Sequence, residues 1–93
     1  MVKNTDELKE IMLEYLIAVN NKNDVYTIYN KYGEEDGGEA LAECIKRGYI
    51  LDIDCGKNAN GQYTFQKRSS NVRLSSSGMN FLRRNLINKD RSW

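Results

Sequence analysis

Residues 39–54, EALAECIKRGYILDID, constrain the fold most strongly, because a helical pattern gives way to a strand pattern with almost nothing between them. Apolar residues recur at helical spacing up to Ile45, and Gly48 follows a basic last turn. Basic residues suit the carboxyl end of a helix, and glycine readily adopts the left-handed conformation that ends one. From Tyr49 onward apolar and polar residues alternate, as in a strand with one covered face. The stretch therefore predicts a helix that leads directly into a β-hairpin.

The sequence before this stretch predicts two further helices. Asn4 can cap the first, and apolar residues follow it at spacings of three and four from Leu8 to Val19. Turn-forming residues then interrupt the pattern, and Asp24 can cap a second, short helix that Gly33 ends. The third helix is the one already described, and it begins at about Asp36.

The sequence after it predicts the rest of the hairpin. The first strand runs to about Asp54 and the second covers residues 62–67, where aromatic and polar residues alternate. Between them, residues 55–61, CGKNANG, are turn formers and predict a flexible tip. Val72 and Leu74 can pair as a short third strand.

A closing helix completes the chain. Ser75 or Ser76 can cap it, and Met79 and Leu82 supply apolar residues at helical spacing. Residues 88–93 are charged and terminal, which predicts a frayed tail. The whole is an α+β arrangement of about four helices and a hairpin.

The composition indicates one folded domain over residues 1–93. Apolar residues make up 40% of the chain and charged residues 29%, with balanced signs, which is typical of a soluble protein. No apolar run approaches the roughly 18 residues of a membrane helix, and the polar amino terminus lacks the apolar core of a signal peptide. We therefore expect a cytoplasmic protein.

The charge is divided unequally along the chain. Residues 1–54 hold six Lys or Arg against twelve Asp or Glu, a net charge of −6, and residues 55–93 hold eight against one, a net charge of +7. Such an asymmetry concerns binding partners, and not the fold.

Enzymatic chemistry finds no support in the residue types. The chain has no histidine, no phosphate-binding glycine loop followed by Lys and Ser or Thr, and no close cysteine pair for zinc. Asp52 and Asp54 lie on one strand face, but two carboxylates without further ligands are more often an exposed edge. We expect a non-enzymatic protein without metal or cofactor.

The order of predicted elements resembles a winged helix-turn-helix domain over nearly the whole chain. Residues 45–50, IKRGYI, are similar to the end of a winged-helix recognition helix entering the first wing strand. Residues 72–82, VRLSSSGMNFL, are similar to the opening of the closing helix. In overall layout the chain resembles the small YjcQ-like proteins of Gram-positive bacteria and their prophages. The resemblance implies a winged helix with a three-helix core, a two- to three-stranded antiparallel wing and a closing C-terminal helix.

This resemblance implies a small regulator of a bacterium or prophage that binds double-stranded DNA. The helix over residues 36–47 would be the recognition helix, but its exposed positions are acidic and only its far end is basic. The basic half of the chain would therefore make most of the contacts to DNA. The predicted backbone contacts are Lys57, Lys67, Arg68, Arg73, Arg83 and Arg84, the predicted groove contacts are Asn58, Asn60 and Gln62, and Lys46 and Arg47 add the end of the helix.

The alternative is a protein-interaction module. The acidic third helix would bind a basic protein or the basic face of a second copy. The predicted contacts are Glu35, Asp36, Glu39 and Glu43. A homodimer is a further expectation, because Leu13 and Ile17 widen the apolar arc of the first helix beyond one stripe.

Overall fold

The computed structural model describes the backbone of residues 5–91 and the side chains of residues 6–86. It is an α+β arrangement, as predicted. In chain order its elements are α1 (Thr5–Asn20), α2 (Val25–Lys46), β1 (Ile50–Leu51), β2 (Ile53–Lys57), β3 (Tyr63–Lys67), β4 (Arg73–Leu74) and α3 (Ser76–Arg91). The predicted cap Asn4 and the last two residues of the predicted tail lie outside the described residues.

The predicted second and third helices are joined in α2 without a connecting loop. Gly33 has φ 88° and ψ 172°, so it breaks the helical path where the sequence predicted an end. Helical geometry resumes at residue 34, slightly before the predicted start at Asp36. Asp24 caps α2 as predicted, because its carboxylate accepts a hydrogen bond from the backbone N–H of Tyr26 at 3.0 Å.

The strands form two antiparallel pairs. β2 pairs with β3 as the predicted hairpin, and β1 pairs with β4, the predicted third strand. The predicted first strand is interrupted at Asp52, which has a positive φ of 66° between β1 and β2. Its predicted end at Asp54 is wrong, because residues 55–57 still pair with residues 63–65. The tip therefore spans only residues 58–62.

Two helices end in the same hydrogen-bonded motif with different residues at the left-handed position. At the end of α2, Tyr49 N–H donates to the Cys44 carbonyl at 2.9 Å, and Gly48 has φ 72°. At the end of α1, Asn23 N–H donates to the Ala18 carbonyl at 2.8 Å, and the left-handed residue is Lys22, with φ 61°. Both are Schellman motifs, but only the first has the glycine that suits it.

This pair of motifs gives a matched stability prediction. Lys22→Gly should stabilise the protein by ~0.5–1 kcal/mol, because it relieves a left-handed L-residue. Gly48→Ala should destabilise it by about 1 kcal/mol, because it places an L-residue at a left-handed position. Urea unfolding followed by circular dichroism measures both. Changes of the same sign for the two variants would contradict the assignment.

The core lies between α1, the second part of α2 and β2. Its most fully buried side chains are Ile11, Tyr15, Leu16, Leu41, Cys44 and Ile53. Leu82 of α3 closes it, at 3% exposure. Of the two residues that widen the apolar arc of α1, Leu13 is buried within the chain at 3% exposure, so it offers no surface for a dimer, whereas Ile17 is 37% exposed.

Candidate functional site

A groove separates the second part of α2 from the tip of the hairpin. Its lining residues are Glu34, Glu35 and Glu39 of α2 and Gly61, Gln62 and Tyr63 of the hairpin, and together they define the acidic groove. The groove has a volume of about 390 Å³. Glu34 and Glu35 are exposed and Glu39 is half-buried, so the carboxylates can reach a ligand from water. Three carboxylates and one phenol ring give the groove a negative, partly aromatic surface.

Close packing holds the hairpin against α2. A Cβ atom on Gly38 would lie 3.3 Å from Cδ2 of Tyr63, so glycine at this position lets the strand approach the helix. The Phe65 ring meets the Tyr29 ring edge-on at 5.8 Å, and it stacks with the Tyr63 ring at 6.3 Å. The two walls of the acidic groove are therefore packed together, and neither is a free loop.

Asn58, Asn60 and Gln62, which the sequence predicted to contact a groove of DNA, form hydrogen bonds with one another at the hairpin tip. The Asn58 side-chain oxygen accepts hydrogen bonds from the backbone N–H groups of Asn60 at 2.9 Å and Gln62 at 3.0 Å. The Asn58 amide also donates to the Gln62 side-chain oxygen at 3.2 Å. This is an Asx-type turn, so Asn58 shapes the tip. The Gln62 side chain lines the acidic groove.

Several of the predicted DNA-binding cations pair with carboxylates of the acidic half. Arg73 Nη1 lies 2.8 Å from Asp52 Oδ2, Arg68 Nε lies 3.2 Å from Asp54 Oδ1, and Lys67 Nζ lies 3.7 Å from Asp24 Oδ1. At the end of α2, the capping residue Arg47 pairs with Glu43 at 2.7 Å. The opposite charges of the two halves therefore meet inside one molecule, which leaves less positive charge for phosphates.

The remaining predicted cations lie on different elements. Lys57 stands 4.9 Å from the centre of the Tyr63 ring. Burial raises the Cys55 pKa, and the positive charges of Lys46 and Lys57 partly offset this rise. Arg83 and Arg84 are exposed on α3. None of these four makes an ion pair with another residue whose side chain the structure describes.

Asp52 joins the two strand pairs at the base of the hairpin. Its carboxylate accepts hydrogen bonds from the Ser69 hydroxyl and from Arg73, both at 2.8 Å, and its carbonyl accepts from Arg68 N–H at 2.8 Å. The side-chain hydrogen bonds from Ser69 and Arg73 lower the Asp52 pKa below its ordinary value of 3.8. The sequence suggested only an exposed edge here.

The lowered pKa predicts how the contribution of Asp52 to stability depends on pH. A carboxylate with a depressed folded-state pKa stabilises the protein above its unfolded pKa, and this stabilisation is lost as pH falls through the folded value. Asp52→Asn should therefore lower the melting temperature at neutral pH, with the difference shrinking below about pH 4. Asparagine tolerates the positive φ, so the backbone is preserved. A wild-type to variant difference that is constant from neutral pH to about pH 2 would contradict the assignment.

The structure divides the four predicted protein-binding carboxylates. Glu35 and Glu39 line the acidic groove, together with Glu34. Glu43 pairs with Arg47 a turn later, and Asp36 is half-buried and does not line the groove. The opposite wall at residues 61–63 could not be predicted to face these carboxylates, because no local pattern links the tip to α2.

Searches for related proteins give no match for this chain, whether against family models, curated proteins or solved structures. Within residues 5–91, no helix is both long and apolar enough to cross a membrane. The described side chains also contain no group of three or more His, Cys, Asp or Glu residues arranged to hold a metal ion.

Proposed function

We propose that the chain is a non-enzymatic binding module with a winged-helix layout, and that its acidic groove binds a basic segment of a protein partner. The observation that carries the proposal is the position of Glu34 and Glu39 beside the hairpin tip. In a winged helix this face, formed by the third helix and the wing, is the one offered to a ligand.

The chemistry of the groove favours a cationic ligand. Glu34 and Glu39 make no ion pair with another side chain that the structure describes. An Arg or Lys side chain entering the groove would meet their carboxylates and could rest on the Tyr63 ring, a cation–π arrangement. Duplex DNA presents a dense row of phosphates, which these carboxylates would repel.

DNA binding is the second candidate function. Lys46, the last residue of α2, and Lys57, the last residue of β2, make no ion pair with a described side chain. With Arg83 and Arg84 on α3, they would hold the backbone of double-stranded DNA, and the protein would be a small regulator of a bacterium or prophage. Lys67, Arg68 and Arg73 would have to leave their carboxylate partners to join them.

The experiment that tests the first proposal measures binding of a fluorescein-labelled oligo-arginine peptide by fluorescence anisotropy. We expect the double variant Glu34→Gln with Glu39→Gln to weaken binding about fivefold or more, because each exposed ion pair contributes up to ~1 kcal/mol. The matched control is Asp6→Asn with Glu10→Gln, which removes the same charge from exposed positions of α1. The control should change the affinity less than about twofold.

Two results would contradict the proposal. Equal weakening by the two double variants would mean that only net charge matters, and an unchanged affinity in the groove variant would mean that the peptide binds elsewhere. Circular dichroism of both variants shows whether the fold is kept.

A further inference from the structure

A second, larger groove lies at the other end of the hairpin and shares no residue with the acidic groove. It has a volume of about 790 Å³ and runs between the α1–α2 turn and the segment that leads through β4. Its apolar lining residues are Val19, Val25, Val72, Leu74 and Met79, and its polar lining residues are Asn20, Lys22, Asn23, Asp24, Lys67, Ser70, Asn71 and Arg73. These residues define the β4 groove. A concave surface that combines apolar side chains with polar groups can hold a ligand.

One wall of the β4 groove is the open edge of a strand. Among the strands of residues 5–91, β4 pairs only with β1, and Ser75 N–H donates to the Tyr49 carbonyl at 2.9 Å. Because antiparallel pairs alternate, Leu74 opposite Ile50 is a non-hydrogen-bonded pair, and the N–H and C=O of Leu74 point away from β1. Five consecutive residues, 70–74, line the groove, and the last two of them form β4. A strand edge beside a groove can accept an extended peptide through main-chain hydrogen bonds.

The charged residues that line the β4 groove are mostly positive. Lys22, Lys67 and Arg73 line it, against the single carboxylate of Asp24. Lys22 makes no ion pair with another described side chain, and the 3.7 Å pair between Lys67 and Asp24 is exposed and therefore weak. Both ammonium groups are thus able to bind a carboxylate from a ligand.

We propose that the β4 groove binds an extended, acidic peptide segment of another protein, which adds to β4 as a further strand. Alternate side chains of the segment would be apolar and contact Val19, Val25 and Met79. The intervening side chains would be acidic and approach Lys22 and Lys67. This inference goes beyond the proposed function, because it concerns a different surface and a ligand of opposite charge.

The test uses a blocked peptide of alternating valine and glutamate, titrated into the ¹⁵N-labelled full chain. We expect amide shift changes confined to residues 19–25 and 70–74, with slower hydrogen exchange at Leu74. Two control peptides should each bind at least about fivefold more weakly. The first has lysine in place of glutamate. The second is N-methylated at the alternate residues whose N–H groups would face β4. Lys22→Asn should weaken binding at least about twofold, and asparagine suits the positive φ of this position.

Several outcomes would overturn the proposal. Equal binding of the lysine peptide would exclude charge recognition, and equal binding of the N-methylated peptide would exclude strand addition. Amide shift changes around the acidic groove would exclude the β4 groove as the binding site, and so would the absence of any shift change at millimolar peptide. Protection of Leu74 in the free chain together with a dimer in sedimentation would show that a second copy occupies the edge.

Discussion

Replacing Gly78 with alanine is expected to destabilise the protein by about 3 kcal/mol or more, although the same change usually stabilises a helix. Gly78 lies in the first turn of α3 and is buried, close to the backbone of Tyr49 just before β1. A Cβ atom there would lie 2.3 Å from the Tyr49 carbonyl oxygen and 3.0 Å from its carbon. Both atoms are backbone, so neither can rotate away, and α3 would have to move.

Such a movement would also break the bonds that fix the start of α3. Ser75 N–H donates to the Tyr49 carbonyl at 2.9 Å, and the Ser75 hydroxyl caps the helix by accepting from Gly78 N–H at 3.1 Å. The Ser75 hydroxyl also donates to the Gly48 carbonyl. The steric clash and the loss of helix capping would therefore both destabilise the Gly78→Ala variant.

Urea unfolding measures this effect, with Ser77→Ala as the matched control. Ser77 is the preceding residue in the same turn and is exposed, so alanine there should change the free energy of unfolding by no more than ~0.5 kcal/mol. If Gly78→Ala were as stable as the wild type, the close approach of α3 to Tyr49 would be incorrect.

Tyr15→Phe is expected to destabilise the protein by ~1–2 kcal/mol. Tyr15 is fully buried, and its hydroxyl donates to the Gly37 carbonyl at 2.8 Å. Burial raises the pKa of this hydroxyl well above its ordinary value of 10, so it remains a neutral donor throughout the physiological range. This hydrogen bond joins α1 to α2 just after the kink.

Tyr26→Phe is the control for this second prediction. Tyr26 is half-buried, and its hydroxyl makes no hydrogen bond to the residues that the structure describes, so its removal should cost less than about 0.5 kcal/mol. Equal effects of the two variants in thermal unfolding would mean that the Tyr15 hydroxyl does not hold the two helices together.

The local features of the fold could be predicted from the sequence because each is decided by a few neighbouring residues. Asp24 and Ser75 cap helices through backbone N–H groups two or three residues away. Gly33 and Gly48 break or end a helix through their own positive φ. The strand limits were predicted less accurately. Residues 55–57 have little strand propensity of their own, and they pair because the register with β3 places them opposite residues 63–65.

The candidate sites could be predicted only in part, because they depend on residues far apart in the chain. The pairs Lys67–Asp24 and Arg73–Asp52 join residues of opposite halves, so the charge division seen in the sequence is partly neutralised within the fold. The acidic carboxylates were predicted as a helix face, but the hairpin wall facing them is set by the packing of Tyr63 on Gly38. The β4 groove had no sequence signal beyond a run of turn formers.

Binding to duplex DNA of random sequence tests the central claim most directly. The labelled duplex would be about 20 base pairs long, and fluorescence anisotropy would be followed from about 50 mM salt upward. If the acidic groove governs binding, the wild-type protein should show no binding to DNA at low salt while still binding the oligo-arginine peptide. Micromolar binding to DNA that falls steeply with salt and is lost in Lys46→Glu with Lys57→Glu would contradict the claim and establish the basic residues as the functional surface.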